Sequence, residues 1–316
     1  ADFELVIKTF NVLPAGNTRE LEGKNVLSLA QSAELIGDSR LARIMKILED
    51  ERIKRPRPHR DEKILTAWNG LMISGLCKTG DPKAINMAET AFWYVNTRRD
   101  ENNLLLRSDS MKACADDYAF ITKAALDLYQ VTCDEKYLQA AINLHQEMDS
   151  LFGCSVGDCT SSDYYYYYYS QPDDIIMRTT EASYDGAEPC ANSIAYYNMA
   201  VLNKIMSTNN GDLGKHNDDE KLYAERMRGM WNHFGAHSIG MPAMHAAKTM
   251  DLITISVRGD DKELLDAVIK AVRGLPNIFV VPKRIDNNEI VVCTKSRCLK
   301  PCKSVEELQV LLKTLW

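Results

Sequence analysis

Apolar side chains recur at intervals of three and four positions along much of the first 250 residues, a spacing typical of amphipathic helices. Ile64 and Trp68 illustrate the spacing, and the pattern predicts a helix over residues 62–79. Asp61 or Glu62 would then lie in the first helical turn, where the helix dipole stabilises a negative charge.

Asn69 and Gly70 interrupt this helical pattern, because both are weak helix formers. A local rule broken inside a strongly patterned segment indicates either a functional position or a site of close packing. Both interpretations stay open. Asn69 is a candidate substrate-binding residue, and Gly70 is a position where a neighbouring helix can approach.

A helix–turn–helix unit recurs along the chain. Asp81 is predicted to cap a second helix after the turn at Thr79-Gly80, and Asp134 occupies the same place 53 positions later. A third unit is predicted from Pro189 to about His233. One helical hairpin cannot bury its own apolar face, so the repetition predicts an α-solenoid or an α/α toroid.

Residues 153–188 lack the helical pattern. They include six successive tyrosines, Tyr164 to Tyr169, which favour extended structure. We expect a β-hairpin or a long loop here. The tyrosines would either line a sugar or aromatic pocket or cover a layer of helices.

From Asp251 onward, short β-branched runs alternate with helical patterns. The predicted strands are 252–257, 278–281 and 289–293, with a helix over 262–273 between the first two. Ser304 begins a capping-box sequence ahead of a last helix. The sequence therefore predicts a mainly α region over 1–250 and a small α/β appendage over 251–316.

Composition narrows the function classes. The 316 residues are 45% hydrophobic and 26% charged with a net charge of −6, which is typical of a soluble globular protein and argues against nucleic acid as a partner. No apolar run reaches the length of a membrane helix, so no membrane association is expected. Nine widely spread cysteines favour buried thiols in a reducing compartment. The expected location is the cytoplasm, with the mitochondrion as the alternative.

The cysteines do not predict a metal site. The closest grouping is Cys293, Cys298 and Cys302, which contains no Cys-x-x-Cys pair and has no histidine nearby. No His-Glu-x-x-His sequence occurs either. We therefore predict neither a metal nor another cofactor.

Several segments together resemble the spermatogenesis-associated protein 20 family. They are 23–27, 55–59, 61–74, 117–120, 126–129, 184–189 with Asn192 and Ser193, and Cys293 to Cys298 followed by 305–308. The resemblance implies an (α/α)6 toroid, similar to sugar epimerases and six-hairpin glycosidases, that follows a thioredoxin-like domain. Only the C-terminal part of the family matches, and the predicted ring is incomplete. The chain is then either a piece of a longer protein or a part-ring completed by a partner.

The inner helices of such a toroid present polar side chains to a central funnel, where sugar chemistry needs an acid or base and aromatic faces. The candidate catalytic residues are His59, Asp61, Asp117, Asp185 and Glu188. The candidate substrate-binding residues are Trp68, Asn69, Tyr118, Tyr184 and Asn192. Structural alternatives stay open: Asp185 as a helix cap, Asp116 and Asp117 as first-turn helix charges, and His59 as a surface histidine.

Two functions follow from different classes. One is a non-catalytic interaction or scaffold module, whose partner is a protein that completes the helical ring. The other is a carbohydrate-acting enzyme, similar to an epimerase or a glycosidase, whose partner is a saccharide.

Overall fold

The computed structural model describes residues 2–21, 23–29, 39–154, 165–171, 185–208, 217–235, 253–258, 261–273, 275, 278–283, 289–294 and 298–315. Contacts divide the chain into two compact units, Ala1–Glu62 and Lys63–Trp316. A domain boundary near residue 251 stays a prediction.

The first unit contains two helices, α1 (Asp2–Phe10) and α2 (Ser39–Ile53), which contact each other. Arg43 of α2 forms an ion pair with Asp2 of α1. After α1, the side-chain amide of Asn17 donates to the backbone oxygens of Asn11 and Val26, both at 2.8 Å. The Asn17 side chain thus provides hydrogen-bond partners for backbone carbonyls that lie outside any helix or strand.

The helical part of the second unit is centred on one helix. Its helices are α3 (Thr66–Thr79), α4 (Pro82–Asn96), α5 (Ala115–Thr132), α6 (Glu135–Phe152), α7 (Ala191–Thr208) and α8 (Asn217–Met230), and α8 continues into a π-helical turn, Trp231–Gly235. Helix α5 packs against α3, α4, α6 and α7. Its side chains Ala119, Phe120 and Ala124 are fully or almost fully buried, so α5 forms the centre of the main hydrophobic core.

The predicted 53-residue repeat is confirmed at the two turns. Asp81 and Asp134 each accept a hydrogen bond from the backbone N–H two residues later and cap α4 and α6. Gly80 and Cys133, directly before them, both have left-handed backbone, with φ of 67° and 51°. The same chain reversal therefore follows α3 and α5, although only one of them uses glycine.

The predicted start of α3 at residue 62 is wrong, since the helix begins at Thr66. The chain before it is held by more distant backbone. Thr66 N–H donates to the Arg107 oxygen at 2.9 Å, and the Arg98 guanidinium donates to the Ile64 oxygen at 2.8 Å. Asp61 and Glu62 consequently precede α3 and do not lie in its first turn.

The C-terminal elements form the predicted α/β appendage. They are β1 (Ile253–Arg258), α9 (Lys262–Val272), β2 (Ile278–Lys283), β3 (Val291–Cys293) and α10 (Val305–Lys313). Strand β1 is central, parallel to β2 and antiparallel to β3, with Ile255 opposite Val280 and Val292. Ser304 caps α10 as predicted. The fold is mainly α with a C-terminal α/β appendage.

Most of the described cysteines are thiols, as expected. Five of them are free: Cys77, Cys114, Cys133, Cys190 and Cys302. Three described cysteines are exceptions: Cys154 is disulfide-bonded, and Cys293 and Cys298 form a disulfide that joins β3 to the segment after it. Within the described ranges, no helix combines the length and the apolarity that crossing a membrane requires.

Candidate functional site

Asp117 lies where the start of α5 meets the start of α3. Its carboxylate is fully buried, and Oδ1 accepts a hydrogen bond from the Ala67 N–H at 2.8 Å. Oδ2 accepts from the Cys114 N–H and from Nη1 of Arg107, both at 2.9 Å. One predicted catalytic carboxylate therefore anchors the first turns of two helices.

Asp116 completes this ion cluster. Arg107 Nη1 contacts its two carboxylate oxygens at 2.9 and 3.0 Å, and the Tyr169 hydroxyl donates to Oδ2 at 3.3 Å. Burial, followed by the charge of Asp116, raises the pKa of Asp117 to about 6 despite its three hydrogen-bond donors. Burial lowers the pKa of Arg107, but the two carboxylates outweigh it and hold that pKa above its ordinary value.

The same cluster offers three ligand atoms but does not fit a metal ion. The Cys114 sulfur and a carboxylate oxygen from each of Asp116 and Asp117 lie within 4.8 Å of one another. The Arg107 guanidinium already contacts both carboxylates. Burial also raises the pKa of Cys114 to about 11.

Trp68 and Glu188 meet at the surface of the second unit. The indole Nε1 of Trp68, in α3, donates to Oε2 of Glu188, in the segment before α7, at 3.1 Å. Trp68 is 59% exposed and Glu188 is also exposed. The structure thus brings one candidate substrate-binding side chain against one candidate catalytic carboxylate.

Asp185 is engaged close to the start of α7. Its Oδ1 accepts a hydrogen bond from the Cys190 N–H at 2.6 Å, and Cys190 directly precedes the helix. Its other oxygen, Oδ2, is buried and has no hydrogen-bond partner among the described residues. Asp185 therefore orders the entry to α7 with one oxygen, while the other oxygen is enclosed by the protein.

Three candidate substrate-binding residues contact the backbone of the protein itself. The buried Tyr118 hydroxyl accepts from the Leu105 N–H at 3.1 Å. Asn192, also buried, exchanges two hydrogen bonds with the Tyr167 backbone, at 2.7 and 2.9 Å. The half-buried Asn69 donates its amide to the Leu65 oxygen at 2.8 Å.

The remaining candidates lie elsewhere. His59 and Asp61 are exposed residues of the first unit, and Tyr184 lies outside the described residues. The catalytic and substrate-binding roles of all ten candidates stay predictions.

A buried polar network that the sequence analysis missed joins α6, the tyrosine run and α8. Asp149 of α6 accepts hydrogen bonds from the hydroxyls of Tyr165 and Tyr167 and pairs with Arg226 of α8. The Tyr167 hydroxyl also lies 3.4 Å from Nε2 of His145, which is fully buried. The alternation of Tyr165 and Tyr167 is the period of a strand, but nothing in the sequence identifies Asp149 as their partner.

The described part of the tyrosine run is a short extended segment. Its backbone bonds antiparallel to the end of α6, through Cys154 N–H to Tyr166 oxygen and Tyr168 N–H to Phe152 oxygen. The Tyr166 ring stacks on His233 with centroids 4.8 Å apart. These contacts match the prediction that the tyrosines cover helices. Tyr164 lies outside the described residues.

Comparison with known proteins gives two kinds of relative. The uncharacterized protein B0495.5 of Caenorhabditis elegans is 27% identical to this chain in an alignment that covers 98% of the chain. Spermatogenesis-associated protein 20 of Homo sapiens is 30% identical over 63% of the chain, and that of Rattus norvegicus is 28% identical over 64%. The predicted partial resemblance to this family is confirmed.

The chain corresponds to only part of these relatives. It spans 48% of the nematode protein and 29% of the human protein. No protein-family model matches the chain.

Proposed function

We propose that this chain is a non-catalytic interaction module whose helical hairpins bind a protein partner through exposed apolar side chains of α3 and α4. The observation that carries this proposal is the exposure of four large side chains on these helices. Trp68, Met72, Met87 and Tyr94 are each more than half exposed. Aromatic residues and methionine are enriched at protein interfaces, and tryptophan and tyrosine often dominate their binding energy.

The spacing of these side chains favours a continuous contact on each helix. Trp68 and Met72 are one turn apart on α3, whereas Met87 and Tyr94 are two turns apart on α4, so each pair shares a helix face. The hydrogen bond to Glu188 restrains the Trp68 ring before any partner arrives. A restrained side chain loses less conformational entropy when it binds.

The buried candidates also favour a module without catalysis. A general acid or base must come within hydrogen-bond reach of a substrate proton. Asp117 is fully buried and already accepts three hydrogen bonds. Such a group supports the helical framework better than it supports turnover.

The proposed partner is a protein with an apolar helical surface, which is what would extend a stack of helical hairpins. To test this, we would place a photo-crosslinking amino acid at Met72 or Met87 and irradiate the protein in its native source. The same protein should be captured from both positions at a fixed stoichiometry. Val310 of α10 is equally apolar and exposed and serves as the matched control position.

Capture from Met72 and Met87, its absence from Val310, and its loss in Trp68→Ser would support the module. Equal capture from all three positions, or none from any, would contradict it. Trp68→Ser should leave the melting temperature almost unchanged because the ring is mostly exposed.

A second candidate function is a carbohydrate-acting enzyme, similar to a sugar epimerase or a glycosidase. The observation that favours it is the contact between the Trp68 indole and the Glu188 carboxylate at the surface. An aromatic face beside a carboxylate suits a sugar ring and its acid–base chemistry, and a second carboxylate, Asp185, lies three residues earlier in the sequence.

To test this second function, turnover of a panel of saccharides is measured for the unmodified chain and for the double variant Asp185→Asn/Glu188→Gln. Turnover by the unmodified chain that the variant loses, at an unchanged melting temperature, would support it. Glu101→Gln, at an exposed turn position between α4 and α5, is the matched control. Turnover that survives in the double variant would exclude these two carboxylates as the catalytic groups.

A further inference from the structure

A cavity of about 410 Å³ lies between the helical part of the second unit and the α/β appendage. Its walls come from the last turns of α3 and α5, from α7, from the end of α9 and from β2. The volume lies within the range of small-molecule sites. None of the ten candidate residues lines this cavity.

The cavity has an apolar floor and a polar mouth. Cys77, Val272 and Val280 line it and are buried, with exposed fractions of 2%, 7% and 2%. Lys78 and Leu275 also line it but are exposed. The lining therefore offers apolar contacts on the floor and positively charged side chains near the solvent.

Gln130 supplies an unused donor in the wall. Its Oε1 accepts a hydrogen bond from the Val280 N–H at 2.9 Å, which fixes the amide orientation because a backbone N–H can only donate. The opposite atom, Nε2, is buried and has no hydrogen-bond partner among the described residues. A buried donor without an acceptor is uncommon in proteins and requires an explanation. An acceptor oxygen on a bound molecule would supply the missing partner.

The charges at the cavity favour an anion. Lys78 and Arg273 line it, and neither forms an ion pair within the described part of the chain, although Nη1 of Arg273 donates a hydrogen bond to the Gly80 oxygen at 2.8 Å. The acid in the wall, Asp127, is neutralised by Lys123 at 2.6 Å. The ends of α3, α5 and α9 each contribute about half a negative charge, which is less in total than two full positive charges.

We infer that this cavity binds a small amphipathic carboxylate. Its apolar body would contact the floor, and its carboxylate would accept from Gln130 Nε2 and be attracted by the positive charges of Arg273 and Lys78. This site is separate from the α3 and α4 faces proposed for a protein partner, so each can fail without the other.

Sodium octanoate tests the inference by calorimetry on the full chain, with 1-octanol as a neutral probe of the same length. One octanoate per chain should bind, and octanol should bind more weakly. Gln130→Glu keeps the acceptor for Val280 and replaces the free donor with an anionic oxygen, so octanoate affinity should fall about tenfold or more. Lys78→Gln should weaken it about threefold to fivefold, as expected for a partly screened charge.

Two further variants control the site. Lys83→Gln removes an equally exposed charge outside the cavity lining and should not change octanoate affinity. Leu275→Trp narrows the mouth and should abolish binding. Equal affinity for octanol and octanoate, or affinity that survives both Gln130→Glu and Leu275→Trp, would overturn the inference. If Gln130→Glu does not fold, Lys78→Gln replaces it as the test: weaker octanoate binding supports the inference, and unchanged binding overturns it.

Discussion

The carboxylate of Asp117 accepts a hydrogen bond from the backbone N–H of Ala67, 50 residues earlier, at 2.8 Å. Asp117 lies in the first turn of α5 and Ala67 in the first turn of α3. Leu65, the residue before α3, makes no side-chain cap of its own. A side chain from another helix therefore caps the N-terminus of α3, a role usually filled by a Ser, Asp or Asn directly before the helix.

Replacing Asp117 by alanine should destabilise the fold strongly. The change leaves the N–H groups of Ala67 and Cys114 without their acceptor, and it removes one of the two carboxylates that pair with Arg107, which keeps its contact with Asp116. We expect a loss of about 3 kcal/mol in the free energy of unfolding, measured by urea denaturation. Asp109→Ala is the control, because the Asp109 side chain in its ion pair with Arg98 is 96% exposed. It should cost less than about 1 kcal/mol. Equal losses in the two variants would show that Asp117 does not anchor the helices.

This contact explains why the start of α3 was predicted wrongly. The sequence signals for a helix start are local, and Asp61 and Glu62 supplied a plausible one. The acceptor that actually anchors the helix lies one helical hairpin away in the sequence. By contrast, the caps at Asp81, Asp134 and Ser304 bond within three residues, and all three were predicted from the sequence.

Gly70 is a position of close helix packing. A Cβ atom there would lie 2.7 Å from the carbonyl carbon of Phe120 in α5, too close for any real contact. Gly70→Ala should therefore force α3 and α5 apart and destabilise the protein by about 2–3 kcal/mol. Gly75, in the same helix, has nothing within 4 Å of its Cβ position.

Gly75→Ala is consequently the matched control. It should raise the free energy of unfolding by up to about 1 kcal/mol, because alanine is the better helix former. Both variants are measured by urea denaturation under the same conditions. The packing explanation fails if Gly70→Ala is as well tolerated as Gly75→Ala.

The hydrogen bond between Trp68 and Glu188 joins residues 120 positions apart. Glu188→Ala removes the acceptor, whereas Glu188→Gln keeps a carbonyl oxygen that can still accept from the indole. A double-mutant cycle with Trp68→Phe should give a coupling of about 0.5–1 kcal/mol for Glu188→Ala. The coupling should be smaller for Glu188→Gln. A coupling of zero for Glu188→Ala would mean that this surface pair is not formed in solution.

The sequence indicated which kinds of side chain the candidate site contains, but not which of these side chains contact each other. Trp68 and Glu188 were both selected, but only the folded chain shows that they touch. Tyr118 and Asn192 were selected for side chains that suit a sugar, and both contact backbone in the interior. Whether a polar side chain faces a funnel or the core depends on which helices surround it, and local spacing does not carry that information.

His145 should make the stability of the fold depend on pH. Burial, reinforced by Arg226 and opposed by Asp149, lowers its pKa below the ordinary value of 6.5. The unfolded chain therefore binds a proton near pH 6.5 that the folded chain does not, so stability is lost as the pH falls below that value. The slope contributed by this one group is at most about 1.4 kcal/mol per pH unit.

The effect is isolated by comparing free energies of unfolding at pH 7.5 and pH 5.5 in the unmodified protein and in His145→Phe. Phenylalanine keeps a ring beside Tyr167 but cannot bind a proton, so the variant should lose less stability on acidification. His59→Phe changes an exposed histidine and should keep the full pH dependence. Other titrating groups are common to all three proteins and cancel in the differences. Identical pH dependence in His145→Phe and the unmodified protein would mean that His145 accepts a proton as easily in the folded chain as in the unfolded one.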